Sequence, residues 1–248
     1  MIIIKTPAEI EIMAEGGHKL AQIVAKVASM VKPNITTWDL ELEAVRLIEA
    51  SGGESSFLGF HGYPSVSCIS INDEVVHGIP SKKRLIREGD IIGVDIGLRY
   101  KGYCTDHAVT VAAGVIDESS DRLLKVTKEA LQIGIDQVKP GSQIGDISAA
   151  IQKSLVKHPF GIVRDLTGHG IGQSPHEEPS IPNFGKSGTG PELKAGMVLA
   201  IEPMVTLGNP QVKQLDDDWT IATIDHSRSA HFEHTVAVTQ TGYTILTQ

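Results

Sequence analysis

Two spacings of hydrophobic residues alternate along this chain. In TPAEIEIMAEGGHKLAQIVAKVASMV, Met13, Leu20, Val24, Val27 and Val31 fall on one helical face, and Thr6, Pro7 and Glu9 form a capping box with proline at the first helical position. NITTWDLELEAVRLIEASGG predicts a second helix, capped by Thr36 or Thr37 and stopped by Gly52 and Gly53. The period then shortens, and SVSCISIN (65–72), DIIGVDIG (90–97) and HAVTVAAG (107–114) read as strands. Within the second of these, Asp95 stands in an apolar run bounded by glycines, the pattern of a strand buried on both faces. An unpaired ionised carboxylate there is so costly that it must either take up a proton or face a positive partner.

The same order recurs in the rest of the chain. Ser119 or Ser120 is the expected cap of a helix through DRLLKVTKEALQIGIDQV, and IGDISAAIQKSLVKH predicts another with Ile147, Ile151 and Leu155 on one face. Strand-like GIVRD, GMVLAIEP and EHTVAVT follow. Individual residues repeat as well. VKP stands at 31–33 and 138–140, Asp39 and Asp146 keep the same offset of 107, and so do GDIIGVD (89–95) and GMVLAIE (196–202). DHAVTV (106–111) and EHTVAV (233–238) are related by an offset of 127. One short apolar match would be chance; four in the same order point to duplication. The expectation is a single domain, 1–248, of two similar halves, about 10–118 and 119–248. Each would pack two helices on an antiparallel sheet, an α+β fold with pseudo-twofold symmetry.

With 248 residues the chain can bury a sizeable core without staples, and two cysteines, Cys68 and Cys104, are too few for a disulfide framework. The N-terminal MIIIKTPAEIEIM lacks the apolar stretch of a signal peptide and no run approaches membrane-spanning length, so a cytoplasmic protein with no membrane partner is expected. A net charge of −8 without a basic, aromatic-laced stripe argues against direct nucleic-acid binding.

The duplication turns one misplaced acid into a set. Asp95, Asp106, Glu202 and Glu233 occupy paired positions on strands of the two halves, and like charges so close cannot all stay ionised without cations. The plain alternative is that each acid caps a strand in water beside an Arg or Lys. That alternative suits Asp106 better than Asp95 and Glu202, which are embedded in apolar segments. For a nitrogen ligand, TGHGIG (167–172) offers His169 between glycines that allow close approach. A phosphate loop or a plain turn also fits those glycines, but Gly168, Gly170 and Gly172 lack dinucleotide-fingerprint spacing. FGKSGTG has Ser180 where a P-loop needs glycine, and HEEPS ends in Ser180 where a zincin needs histidine. Four carboxylates and an imidazole make a hard, oxygen-rich site large enough for two divalent metal ions. Two such ions about 3.5 to 4 Å apart can share a hydroxide and polarise a carbonyl, so hydrolysis is the expected reaction class. His77 and His176 lie beside turn residues in NDEVVHGIPS and QSPHEEP, where they can donate to an oxyanion or move a proton. A lone loop histidine is otherwise simply solvated. His18, His61, His158 and His226 read as surface or packing residues.

The order GVDIG, YCTDHAV, TGHGIG, AIEP and FEHTV, with NDEVVHGIP upstream, resembles the type I methionine aminopeptidases over almost the whole chain. The resemblance implies the pseudo-twofold pita-bread fold and hydrolytic removal of an N-terminal methionine when the second residue is small. It implies that Asp95 ligates one metal, His169 and Glu202 mainly the other, and that Asp106 and Glu233 bridge both. Glu202 would also handle the proton of the attacking water, and His77 and His176 would contact the substrate. Phe60, Tyr63, Cys68, His77 and Trp219 would line the methionine pocket. The metal would be Co, Mn, Fe(II) or Zn, and the partner the N-terminal methionine of nascent polypeptides, met by a monomer in transient ribosome contact. Three positions depart from the family pattern: Pro175 stands where a larger apolar residue is usual, Phe60 replaces a frequent Tyr, and His231 stands where Gln is common. The same ligand set serves proline-directed peptidases, aminopeptidase P and prolidase, which usually carry a separate N-terminal domain; this chain starts almost directly with the catalytic fold. Some relatives have lost the metal and act as binding proteins, but here all five ligands are present.

Overall fold

The computed structural model describes residues 1–248. In the first half, helices α1 (Pro7–Ser29) and α2 (Thr37–Ser51) precede strands β1 (Glu54–Ser55), β2 (Ser67–Ile71), β3 (Glu74–Val76), β4 (Ile91–Tyr100) and β5 (Tyr103–Ala112). In the second half, α3 (Glu118–Ile135) and α4 (Ile144–Leu155) precede β6 (Gly161–Ile162), β7 (Thr167–Gly170), β8 (Glu177–Pro182), β9 (Val198–Ile201) and β10 (Met204–Thr206). The chain closes with β11 (Val212–Gln214), β12 (Ile221–Thr223), β13 (Ser229–His231), β14 (Glu233–Val238) and β15 (Tyr243–Ile245).

The helix ends follow from local chemistry. Thr6 with Glu9 and Thr36 with Asp39 form reciprocal capping boxes, and Gly52 closes α2 in the left-handed region at φ 74°. The cap of α3 is Asp117, not Ser119 or Ser120. Its carboxylate accepts the Ser120 N–H at 2.9 Å and takes both serine hydroxyls as donors, so the serines become first-turn residues. A charged acceptor at the positive end of the helix outcompetes a hydroxyl for that place. GIVRD contributes only Gly161–Ile162 to a strand.

The main sheet has nine strands in the order β1-β4-β5-β14-β9-β7-β8, with β2 also on β4 and β15 also on β14. Every pairing in it is antiparallel. The repeat-related pairs β4/β9 and β5/β14 fall symmetrically about the central β5–β14 junction, as the duplication predicts. Each helix pair has its own aliphatic core. Leu20 and Val24 of α1 and Leu40 of α2 pack on Val94 and Ile96 of β4, while Leu131 of α3 and Ile147 of α4 pack on Leu199 and Ile201 of β9. Along β4 the residues between those core positions are Gly93, Asp95 and Gly97, so the acid is flanked by positions with no side chain. Two small sheets, β13-β10-β6 and β11-β12-β3, build the remaining walls around the same region.

Candidate active site

Strand register alone puts the predicted acids on one face. Asp95 and Ala108 are directly paired across β4–β5, and Glu233 and Ala108 across β5–β14. Directly opposed residues point to the same side of a sheet, and so do residues two apart on one strand. Asp95, Asp106 and Glu233 therefore surround the small Ala108. His234 pairs with Ile201, which brings Glu202, one residue past the end of β9, beside Glu233. His169 pairs with Ala200 across β7–β9, which places its ring in the same group. The backbone at the junction is tied by Thr235, whose Oγ1 accepts the Asp106 N–H at 2.8 Å and donates to the Asp106 carbonyl.

Burial and mutual repulsion dominate the electrostatics. Desolvation, reinforced by neighbouring carboxylates, pushes Asp95 and Glu233 well above the ordinary carboxylate range and raises Asp106. Desolvation alone raises Glu202. No lysine or arginine reaches the group to reverse this; its close partners are imidazoles. His169 donates Nδ1–H to the Gly170 carbonyl at 2.9 Å, which leaves Nε2 as a lone-pair donor 3.5 Å from Glu202 Oε1. Burial pulls the His169 pKa down to about 3, so the ring is neutral and able to ligate.

These residues fit divalent cations. Ligand atoms of Asp106, His169 and Glu233 all lie within 4.8 Å of one another. Asp95 Oδ1 and Glu233 Oε1 are buried and accept no hydrogen bond, an omission that is costly unless a cation faces them. A donor set of carboxylate oxygens with one imidazole suits Mn, Fe(II), Co or Zn.

The group forms one wall of a cavity of about 290 Å³. All the predicted site residues line it: the five acid and imidazole ligand candidates, His77 and His176, and Phe60, Tyr63, Cys68 and Trp219. Tyr63 and Trp219 meet edge to face at 5.1 Å, and the Tyr63 hydroxyl donates to the Ser67 carbonyl at 3.0 Å. Cys68 is buried and pairs with Asp95 across β2–β4; Glu41 of α2 anchors the start of that strand by accepting the Val66 and Ser67 N–H groups at 2.8 and 3.1 Å. His77 sits in the left-handed region at φ 60° and its carbonyl accepts the Thr220 hydroxyl at 3.5 Å, next to Trp219. The His176 ring lies 4.2 Å from that of His169 and 5.3 Å from Phe60.

Other lining residues lay outside the sequence expectation. His61, read as surface or packing, is exposed but lines the cavity, its ring tilted against that of Phe60 with centroids 4.3 Å apart. His231, noted only as a departure from a family pattern, is buried against Glu202. Phe57, Val76, Leu166 and Met204 complete the apolar wall and carry no sequence signal beyond ordinary hydrophobic residues. His169, flanked by glycines, lies on a strand rather than in a phosphate loop or a plain turn: the small neighbours let β7 pass close to β8 and β9, where a Cβ on Gly168 would collide with the Ala200 carbonyl.

No helix is long and apolar enough to cross a membrane. The sequence pattern of metallopeptidase family M24 matches residues 11–240. The chain is 46% identical to methionine aminopeptidase 1 of Bacillus subtilis over 100% of both chains, and 46% identical to a methionine aminopeptidase of Clostridium acetobutylicum over 100% of this chain and 99% of that one. The crystal structure of a methionine aminopeptidase from Thermotoga maritima superposes over 100% of both chains with a TM-score of 0.98 at 44% identity. A prolidase from Pyrococcus furiosus shares the fold at 23% identity and a TM-score of 0.78, over 99% of this chain and 65% of that one. With its curled antiparallel sheet, paired helices and clustered acids, the chain belongs to metallopeptidase family M24.

Proposed function

We propose that the chain is a methionine aminopeptidase, a metal-dependent exopeptidase that releases N-terminal methionine from peptides and nascent proteins whose second residue is small. The observation that carries this reading is adjacency. One cavity has four carboxylates and His169 on one wall, with Tyr63, Cys68, Met204 and Trp219 beside them. At about 290 Å³ it lies at the small end of ligand pockets, room for one side chain rather than an extended peptide. Its soft, apolar lining suits a thioether. Phe60, His61 and His176 crowd together on one side of it, which supports a small second residue.

In this reading Asp95, Asp106, His169, Glu202 and Glu233 would together hold the cations. When bound, the cations supply Lewis acidity and make water reactive near neutral pH. Glu202 takes a proton from the attacking water and returns it to the amine of the second residue as the methionyl amide bond breaks. His77 and His176 donate to the carbonyl oxygen, where negative charge develops. Burial holds the His77 pKa down at about 4, so it acts as a neutral donor. Residues 1–248 work as one catalytic domain of two similar halves, and the chain acts as a monomer in the cytoplasm in transient contact with the ribosome. The free, buried thiols of Cys68 and Cys104 suit a reducing compartment.

The decisive experiment is a Met-Xaa peptide panel with Mn, Fe(II), Co or Zn, read for free methionine. Met-Ala-Ser should be cleaved and Xaa-Pro substrates left intact. The reverse would move the chain to the proline-directed peptidases, and a protein that neither binds metal nor hydrolyses either substrate would be a binding module.

A further inference from the structure

Two imidazoles face Glu202, one at each carboxylate oxygen. His169 Nε2 lies 3.5 Å from Oε1, and His231 Nε2 lies 3.3 Å from Oε2. His231 is 4% exposed and lines the cavity, and its Nε2 is a buried nitrogen without a well-aligned hydrogen-bond partner in the resting site. Its backbone is pinned on both sides by one residue of β5: the His231 N–H donates to Thr110 Oγ1 at 3.0 Å, and Thr110 Oγ1 donates to the His231 carbonyl at 2.8 Å. It is further held by the β10–β13 pairing of Met204 with His231. The imidazole is thus aimed at Glu202 by a rigid frame. It stands outside the close group formed by Asp106, His169 and Glu233, and it faces the carboxylate oxygen that His169 does not.

The geometry points to His231 as a positioning residue for the hydrolysis: its Nε2–H would hold the outer oxygen of Glu202, fixing the orientation in which that carboxylate meets metal and water. The inference rests on the reading of Glu202 as the proton-handling carboxylate. A small rotation of His231 aligns the hydrogen bond, and a carboxylate held at that oxygen loses less freedom when it acts.

The test compares His231→Leu, which keeps bulk without a donor, with His231→Gln, which restores a side-chain N–H at similar reach. Wild-type and variant proteins are loaded with Co(II) or Mn(II), and kcat and KM for Met-Ala-Ser, the Co(II) absorption spectrum and Mn(II) affinity are measured. His231→Leu should lower kcat by about 10- to 100-fold with little change in KM, and alter the Co(II) spectrum. His231→Gln should recover most of both. Should thermal melting show that His231→Leu does not fold, His231→Met replaces it, a flexible apolar side chain of similar reach without an N–H; the same loss is expected. A folded donor-free variant with wild-type kcat and spectrum overturns the proposal. So does a Gln variant as impaired as the donor-free one, or loss of one bound metal per chain in both, which would make His231 a ligand. If the wild-type protein releases no methionine, it is the aminopeptidase reading that fails.

Discussion

Asp95 shows how much one residue can disclose. It is 8% exposed between Val94 and Ile96, both fully buried, and one of its oxygens accepts no hydrogen bond. Replacing it by Asn removes the charge while keeping the shape, so metal binding and activity should fall together. Isothermal titration with Mn(II) should show affinity lowered by more than the roughly 100-fold upper range for residues that merely support ligands; near wild-type turnover would refute the role. His77→Ala and His176→Ala should separate the two properties. Each should lower kcat by about 10²- to 10³-fold while metal content, measured by atomic emission, stays unchanged. Asp95 was legible because a carboxylate inside an apolar strand breaks the pattern, and its partner Glu202 because the break recurs. His61 and His231 were not legible in this sense. A histidine before an aromatic residue or beside a turn looks the same in sequence whether it faces water, core or cavity.

At the scale of elements, backbone approach decides whether ligands meet. Gly168 lies where β7 crosses the Ala200 carbonyl of β9, with Glu202 Cγ 3.4 Å from the position a Cβ would take. Gly168→Ala should push β7 outward, cost about 1–3 kcal/mol as an overpacked site and weaken metal binding by displacing His169. Urea unfolding and metal titration of the same protein measure both; unchanged values would show that β7 has slack. Helix boundaries were mostly legible, since Thr6 and Thr36 combine a cap side chain with an acid three residues later. The α3 start was misplaced because Asp117, Ser119 and Ser120 are all competent caps, and only the extended backbone at Asp117 selects one. The β7 strand escaped the period-two reading because alternating glycines carry no apolar signal.

Over the whole molecule, the buried carboxyls make stability depend on metal and pH together. A group whose folded pKa lies above its unfolded value keeps its full contribution at low pH and loses it as pH rises. Half-buried His77 and buried His107 and His231, pulled down to about 4 from the ordinary 6.5, act in the opposite sense, but only below pH 6.5, because above it they are neutral in both states. Between pH 6.5 and about 8 the carboxyls, with Asp106 and Glu202 at about 8, set the slope. Chelator-treated protein should therefore lose stability across that window, by at most about 1.4 kcal/mol per pH unit for each carboxyl still protonated. Added Mn(II) should raise Tm more at pH 8 than at pH 6.5, as scanning calorimetry would record; a gain that shrinks with rising pH would contradict this account. What the sequence by itself determined is local or repeated: helix faces, capping boxes, the offset of 107 that pairs Asp95 with Glu202, and the residue types of a hydrolytic metal site. Only the tertiary structure decided that β5 pairs with β14, that Ala108 leaves room for acids on both sides, and that His231 turns toward Glu202. Periodicity reports which way a side chain points from its own element. Which distant element it meets depends on sheet register, and register is set by the packing of both halves at once.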